Sequence, residues 1–172
     1  MEEYSIPVAG LSEGLHHFDF RVNDPFFGAF ENTPVEKADL SVHVEFEKRP
    51  SMYVLELTHE GTVRTTCDRC LEEIDLPVSG SFPLVVKFSE EELPEEAEVV
   101  YVHPETSRLN LAKYIFEFVV LSLPLIKVYD CEADPDAVCN EETLKFLDRQ
   151  KDADEAPVNP LKEALKNWKK EN

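Results

Sequence analysis

The 172-residue chain has no apolar run long enough to cross a membrane. A helical span needs about 20 consecutive apolar residues, whereas the longest run here, residues 115–126, is interrupted by Glu117 and closed by Pro124. The first residues, Met1-Glu2-Glu3-Tyr4, lack the positive and then apolar layout of a secretory signal. With four cysteines and no export signal, the sequence predicts a cytoplasmic protein with reduced thiols and no membrane partner.

Sequence signatures of catalysis are also missing. There is no glycine-rich phosphate loop and no Gly-x-Ser-x-Gly elbow. The carboxylates stand in solvated acidic runs rather than among apolar residues, which does not favour acid–base chemistry. The five histidines are scattered. His16 and His17 are adjacent, so in a strand they point to opposite sides, and both are interpreted as ordinary strand residues. We therefore expect a protein that is not an enzyme and has no small-molecule substrate.

Basic residues are few. The chain has 17 Lys and Arg against 36 Asp and Glu, a formal net charge of −19. Such a surface repels phosphate, because nucleic-acid affinity depends mainly on cations that displace counterions. It attracts basic partners and accelerates their encounter. A basic partner and mere solubility both remain open as reasons for this charge.

The hydrophobic pattern predicts a sheet followed by a helix. Residues 38–47 alternate between apolar and polar side chains, and residues 52–59 return as a second strand. Glu60-Gly61-Thr62 is interpreted as the next turn, and Gly80 as a break or bulge in a later strand. Residues 110–123 form a helix so apolar that we expect it to be largely buried. The fold class is α+β: an antiparallel β-meander or half-open barrel packed on one main helix, with a C-terminal helical appendage.

Three segments are predicted along the chain. Residues 1–150 form the α+β domain, residues 151–158 a polar linker, and residues 159–172 an amphipathic helix that starts at Asn159-Pro160. One face of that helix carries Leu161, Leu165 and Trp168, and the lysines lie mostly on the other. The helix either docks through its apolar face or touches phosphate and a base. Its candidate partner-binding residues are Lys162, Lys166 and Trp168.

The cysteines carry the main chemical signal. Cys67-x-x-Cys70 has the spacing of half a zinc site and lies between two strands. Cys131 and Cys139 could supply the second half, although they are not a tight pair. A structural zinc ion, a redox pair and ordinary reduced thiols all remain open, and the redox pair is disfavoured because no βαβ pattern surrounds the cysteines.

Residues 60–170 resemble the YceD-like family of bacteria and plastids. Thr66-Cys67-Asp68-Arg69-Cys70-Leu71-Glu72 is similar to the family's Cys-x-Arg-Cys-Leu-Glu segment. The apolar helix ending in Leu121-Ser122-Leu123-Pro124-Leu125 is similar to its Leu-x-x-Pro turn, and Asn159-Pro160-Leu161 to its closing helix.

The resemblance implies a role in the synthesis, processing or accumulation of large-subunit ribosomal RNA, without established enzymatic activity. Together with the acidic charge it suggests a non-catalytic ribosome-biogenesis factor. Its expected partner is a basic ribosomal protein of the large subunit, and ribosomal RNA is contacted indirectly or through the C-terminal helix. Arg69 is a further candidate for partner contact. The alternatives are a nuclease or processing enzyme on precursor ribosomal RNA, and a structural zinc adaptor unrelated to ribosomes.

Overall fold

The structure is a computed structural model that describes residues 2–35, 37–91, 93–94, 98–129 and 139–154, with side chains up to residue 147. The described elements are short 3₁₀ turns at Glu2–Tyr4 and Val8–Gly10, strands β1 (Ser5–Ile6), β2 (Gly14–Asn23), β3 (Lys37–Arg49), β4 (Met52–Thr66), β5 (Glu73–Phe88), β6 (Val99–Val102) and β7 (Leu109–Asn110), and helices α1 (Asp24–Phe27), α2 (Ala112–Ser122) and α3 (Glu141–Asp154).

The predicted α+β class is confirmed, with one difference in the sheet. Strands β2, β3, β4 and β5 form an antiparallel meander, as expected, but β6 joins β5 in parallel. The order β2-β3-β4-β5-β6 leaves β2 and β6 as edges, so these strands form an open sheet and not a closed barrel. A separate antiparallel pair of β1 and β7 brings the N-terminal segment to the start of α2.

Gly61 does not form a turn, contrary to the prediction from Glu60-Gly61-Thr62. Strand β4 continues through it, and Gly61 pairs with Leu40 on β3 and with Val78 on β5. Its φ is +150°, and a Cβ atom at this position would lie 2.2 Å from the Asp39 carbonyl oxygen. Glycine is therefore required here because the neighbouring backbone approaches closely. The sequence alone does not distinguish such a glycine within a strand from a glycine in a turn.

The inner face of the sheet packs against α2, the predicted main helix. Buried α2 residues include Ile115 and Phe118, and the Phe118 ring stacks on Phe82 of β5 at a centroid distance of 4.7 Å. The N-cap position of α2 is Leu111 and not Asn110, although Asn110 Oδ1 accepts the Ala112 N–H at 2.9 Å from the position before it. Among the α2 residues only Lys113 and Leu121 are exposed, so the helix is largely buried, as its apolar content predicts.

Strand β5 also continues through Gly80, where a break or bulge was expected. Gly80 pairs with His59, and a Cβ atom there would lie 2.8 Å from the Phe82 ring and 3.0 Å from the His59 ring. The missing side chain makes room for these two rings, which are nearly parallel at 5.9 Å. The Nε2 atom of buried His59 lies 2.9 Å from Ser122 Oγ at the end of α2.

Helix α3 begins where the sequence predicts it. Asn140 Oδ1 accepts the Thr143 N–H at 3.1 Å, and Lys145 pairs with Glu141 at 2.8 Å. The helix extends to Asp154, past the predicted end near Leu147 and into the first residues of the predicted linker. The C-terminal helix predicted for residues 159–172 lies outside the described residues, and the division into three segments stays a prediction. None of the helices described is both long and apolar enough to cross a membrane.

Candidate functional site: the Cys67–Glu72 turn

The turn between β4 and β5 contains both cysteines of the Cys-x-x-Cys pair, as predicted. The ladder ends at the pair Thr66 and Glu73. The Cys67 N–H then donates to the Glu72 carbonyl at 2.8 Å, and the Leu71 N–H donates to the Cys67 carbonyl at 3.0 Å. Leu71 has a φ of +62°, an uncommon value for a residue with a Cβ. This left-handed residue lets the chain reverse within six residues.

Cys67 and Cys70 are both free and fully buried. Burial raises the pKa of the Cys67 thiol, but hydrogen bonds from the backbone N–H groups of Cys70, Tyr129 and Arg69 act in the opposite direction, and the net pKa lies below the ordinary value. N–H donors aimed at a sulfur favour its thiolate form. Because the thiolate is the form that binds metals, the turn provides one activated and one neighbouring sulfur suitable for a soft or borderline cation.

Asp68 binds the segment that follows α2, through Lys127. The Asp68 N–H donates to the Lys127 carbonyl at 2.7 Å, and the Lys127 N–H donates back to Asp68 Oδ2 at 2.7 Å. The Lys127 ammonium lies 4.0 Å from Asp68 Oδ1. One backbone–backbone bond, one bond from a backbone N–H to the Asp68 carboxylate and a charge pair therefore connect residues that are 59 positions apart in sequence.

The far end of the cysteine loop returns to the same turn. Asn140 Nδ2 donates to Glu72 Oε1 at 3.1 Å, and its neighbour Cys139 packs half-buried against the core. Cys139 is disulfide-bonded in this structure. Cys131 lies outside the described residues. The described contacts thus bring Cys139 to the side of the molecule that holds Cys67 and Cys70, but the meeting of all four predicted sulfurs stays a prediction.

Arg69, the predicted partner contact, is half-buried in the turn. Within the described part of the chain its guanidinium makes no hydrogen bond or ion pair. The adjacent Leu71 is 69% exposed, and Leu125 and Ile126, just before Lys127, are also exposed. The other predicted contacts, Lys162, Lys166 and Trp168, lie outside the described residues.

One group of ligand-type residues was missed at the sequence level. His17 on β2 and His43 and Glu45 on β3 place one ligand atom each within 4.8 Å of one another. Alternation predicted that His43 and Glu45 share a face, but the register that sets His17 opposite Glu45 is a property of the β2–β3 pairing. The sequence signal that could have found the group is a histidine on the polar face of one predicted strand and an acidic residue on the polar face of the neighbouring strand.

Comparison with known proteins supports the resemblance seen in the motifs. The family model described as "Large ribosomal RNA subunit accumulation protein YceD" matches residues 55–169, about two-thirds of the chain. No curated protein and no solved structure matches the chain. The matched range includes β4 from Leu55 onward, the Cys67–Glu72 turn, β5 and all three of the predicted family segments. The chain therefore belongs to the YceD family, whose description links it to accumulation of the large ribosomal RNA subunit.

Proposed function

We propose that the protein is a non-catalytic ribosome-biogenesis factor that holds a basic ribosomal protein of the large subunit. The observation that carries this proposal is the net charge of −19 in a family linked to large-subunit RNA. A body with this charge repels RNA phosphate and attracts the cationic surface of a ribosomal protein. RNA accumulation would then depend on delivery or protection of a protein that the RNA needs for assembly.

The Cys67–Glu72 turn supports a docking end for that partner. Exposed Leu71, Leu125 and Ile126 offer apolar area beside the turn, and apolar clusters on a surface are typical of protein contacts. Arg69 adds a cation that the described fold does not use, and arginine is enriched in protein interfaces. In this arrangement the acidic surface accelerates encounter, while Arg69 and the leucines fix the bound orientation.

Affinity purification from cells tests the proposal. We expect the wild-type protein to retain one or more basic large-subunit proteins after nuclease treatment. Arg69→Ala should reduce their recovery about tenfold or more, the size expected for truncation of an important interface arginine. Arg49→Ala is the control, because Arg49 is an exposed arginine on β3 whose partner is Glu47.

Two results would contradict this division of roles. One is tight binding of purified protein to ribosomal RNA fragments at physiological salt with no protein present. The other is metal-dependent cleavage of precursor RNA that is abolished by changing a single carboxylate. The C-terminal residues Lys162, Lys166 and Trp168 are proposed as a second contact, and their triple replacement should weaken complexes that contain RNA more than those that contain protein alone.

A structural zinc ion at the cysteine turn is a separate proposal. The buried Cys67 and Cys70, the N–H donors to Cys67 and the two fastened ends of the loop all suit a tetrahedral thiolate site. Cys131 and Cys139 would be the remaining ligands. A disulfide sulfur is not a thiolate ligand, so zinc and the Cys139 disulfide are alternative states of one loop.

Metal analysis distinguishes these states. Protein prepared with reductant and without chelator should contain about one zinc per chain, and Cys67→Ser should lose both the metal and several degrees of melting temperature. Cys139→Ser should lose the metal as well if it is a ligand. Metal-free protein of full stability would show that the cysteines form only thiols and a disulfide.

A further inference from the structure

The exposed face of strands β2 and β3 carries a two-by-two arrangement of ligand-type side chains. In the strand register His17 is opposite Glu45, and Asp19 is opposite His43. Residues two apart in a strand share a face, so all four project from the solvent side. Directly opposed side chains in such a pair lie within interaction distance, and diagonal neighbours are reachable by long side chains.

Three of these side chains already converge. His17, His43 and Glu45 each place a ligand atom within 4.8 Å of the others, and the two imidazole rings lie 5.4 Å apart with an angle of 19° between them. Ligands of a tetrahedral ion at about 2.1 Å are separated by about 3.4 Å. Bringing the ligand atoms from their present separations of up to 4.8 Å to this distance takes movements of about 1 Å, which exposed side chains make by rotamer adjustment.

Asp19 holds the second ring nitrogen of His43, as a carboxylate commonly does for a metal-binding histidine. His43 Nδ1 lies 2.7 Å from Asp19 Oδ1. This bond leaves Nε2 as the nitrogen that can face a metal, and a carboxylate that holds the second ring nitrogen fixes the tautomer and raises ligand basicity.

The surrounding charge also favours a cation. On the side of β3 away from β2, Glu45 is paired with Glu56 of β4, and both side chains face outward. Like charges directly opposite in a sheet are destabilising, and a bound divalent ion between His17, His43 and Glu45 would offset this repulsion. An open groove of about 630 Å³ borders the cluster and admits a hydrated ion. Asp19, His43 and Glu60 line it together with Arg21, whose charge is paired with Asp39 at 2.7 Å.

We propose that His17, His43 and Glu45 form a binding site for a borderline divalent transition-metal ion such as Zn²⁺ or Ni²⁺, with Asp19 positioning His43. Two imidazoles and one carboxylate are a donor set that these ions accept. The ion links edge strand β2 to β3 and keeps at least one coordination position for water or for a side chain of a partner. The site is distinct from the cysteine turn and does not depend on the proposed function.

Calorimetric titration with Ni²⁺, using the full chain, tests this site. Wild-type protein should bind one Ni²⁺ in a step that His17→Gln and His43→Gln each weaken at least tenfold, while Asp19→Asn weakens it by about 10-fold. His16→Gln is the matched control, because His16 is the next residue on the same strand, bonds to the Ser12 carbonyl and lies beside Phe46 on the other face. Cys67→Ser should leave the step unchanged.

A second readout separates coordination from a general effect on the fold. In protein with ¹⁵N-labelled histidine, Zn²⁺ should shift the ring nitrogens of His17 and of His43, with the larger change at His43 Nε2, and leave those of His16 in place. A wild-type protein with no Ni²⁺ step at millimolar metal would overturn the proposal. So would a step of unchanged affinity in the His17→Gln/His43→Gln double variant.

Discussion

The side chains on the two faces of strand β3 differ in burial and in what fixes their positions. On the inner face, Leu40, Val42, Val44 and Phe46 are almost fully buried. On the outer face, Ser41, Glu45 and the partly exposed His43 alternate with them and meet water. The inner residues are fixed by packing density, which tolerates little change. The outer residues are fixed only by register, so their chemistry can vary without loss of the fold.

This contrast places the two candidate metal sites in different physical settings. The Cys67–Glu72 turn holds buried sulfurs whose surroundings are set by hydrogen bonds to two ends of a distant loop. The His17, His43 and Glu45 cluster is open to solvent and is assembled by a strand pairing alone. Disruption of the first should cost stability, whereas disruption of the second should cost metal binding and little stability without metal.

The largest test of the contrast is Phe46→Ala on the inner face. Phe46 is fully buried and contacts the ring of Tyr53 at 5.0 Å, so its removal leaves a cavity. The free energy of unfolding should fall by about 3–5 kcal/mol, measured by urea denaturation. Ser41→Ala on the outer face of the same strand should change it by no more than about 0.5 kcal/mol. Equal losses from both variants would break the comparison.

Gly61→Ala tests an inner-face position that tolerates no side chain. The added Cβ would lie 2.2 Å from the Asp39 carbonyl oxygen at a φ of +150°. We expect a loss of about 2–3 kcal/mol, because backbone strain of this kind costs about 1–3 kcal/mol and β3 must also shift. Gly10→Ala, where a Cβ meets nothing within 4 Å, is the control and should be almost neutral. A stable Gly61→Ala protein would show that the strand contact is looser than described.

His59 is a titrating group on the inner face of the sheet. Burial lowers its pKa below the ordinary value, so the folded protein binds the proton more weakly than the unfolded chain does. Its contribution to stability is present above about pH 6.5 and is lost as the pH falls through the folded pKa, at up to about 1.4 kcal/mol per pH unit.

Unfolding curves between pH 7.5 and 5 should therefore be less pH-dependent in His59→Phe than in the wild type. Ser122→Ala removes the partner of His59 Nε2 but leaves the imidazole in place. It should lower stability across the range and keep the slope. If His59→Phe retains the wild-type slope, other groups are responsible for it.

The smallest effect is expected for the outer-face ion pair of Arg64 and Asp75. The guanidinium donates to both carboxylate oxygens, at 2.9 and 2.8 Å, and this hydrogen bonding lowers the pKa of Asp75. Because both side chains are partly exposed, water and salt screen the pair. Asp75→Asn should produce a smaller loss than Phe46→Ala or Gly61→Ala, and the loss should disappear in about 1 M salt. A double-mutant cycle with Arg64→Gln isolates the pair from other effects.

Much of the fold could be read from local pattern. The alternation in residues 38–47, the cap at Asn140 and the turn at Cys67 each depend on neighbours a few residues away, and each is confirmed. The predictions at Gly61 and Gly80 were wrong because a glycine in a turn and a strand glycine that makes room for a neighbouring backbone or ring are the same in sequence. The parallel addition of β6 was missed because four residues carry no signal of strand direction.

The sequence by itself determined the acidic charge, the α+β class, the Cys-x-x-Cys turn and, through its motifs, membership of the YceD family. These depend on composition and short-range spacing, which do not change with the fold. Only the tertiary structure decided that Lys127 and Asn140 meet the cysteine turn and that His17 lies opposite Glu45. Such contacts join residues 28 to 68 positions apart, and they exist only after buried apolar area has fixed the strand register and closed the chain between them.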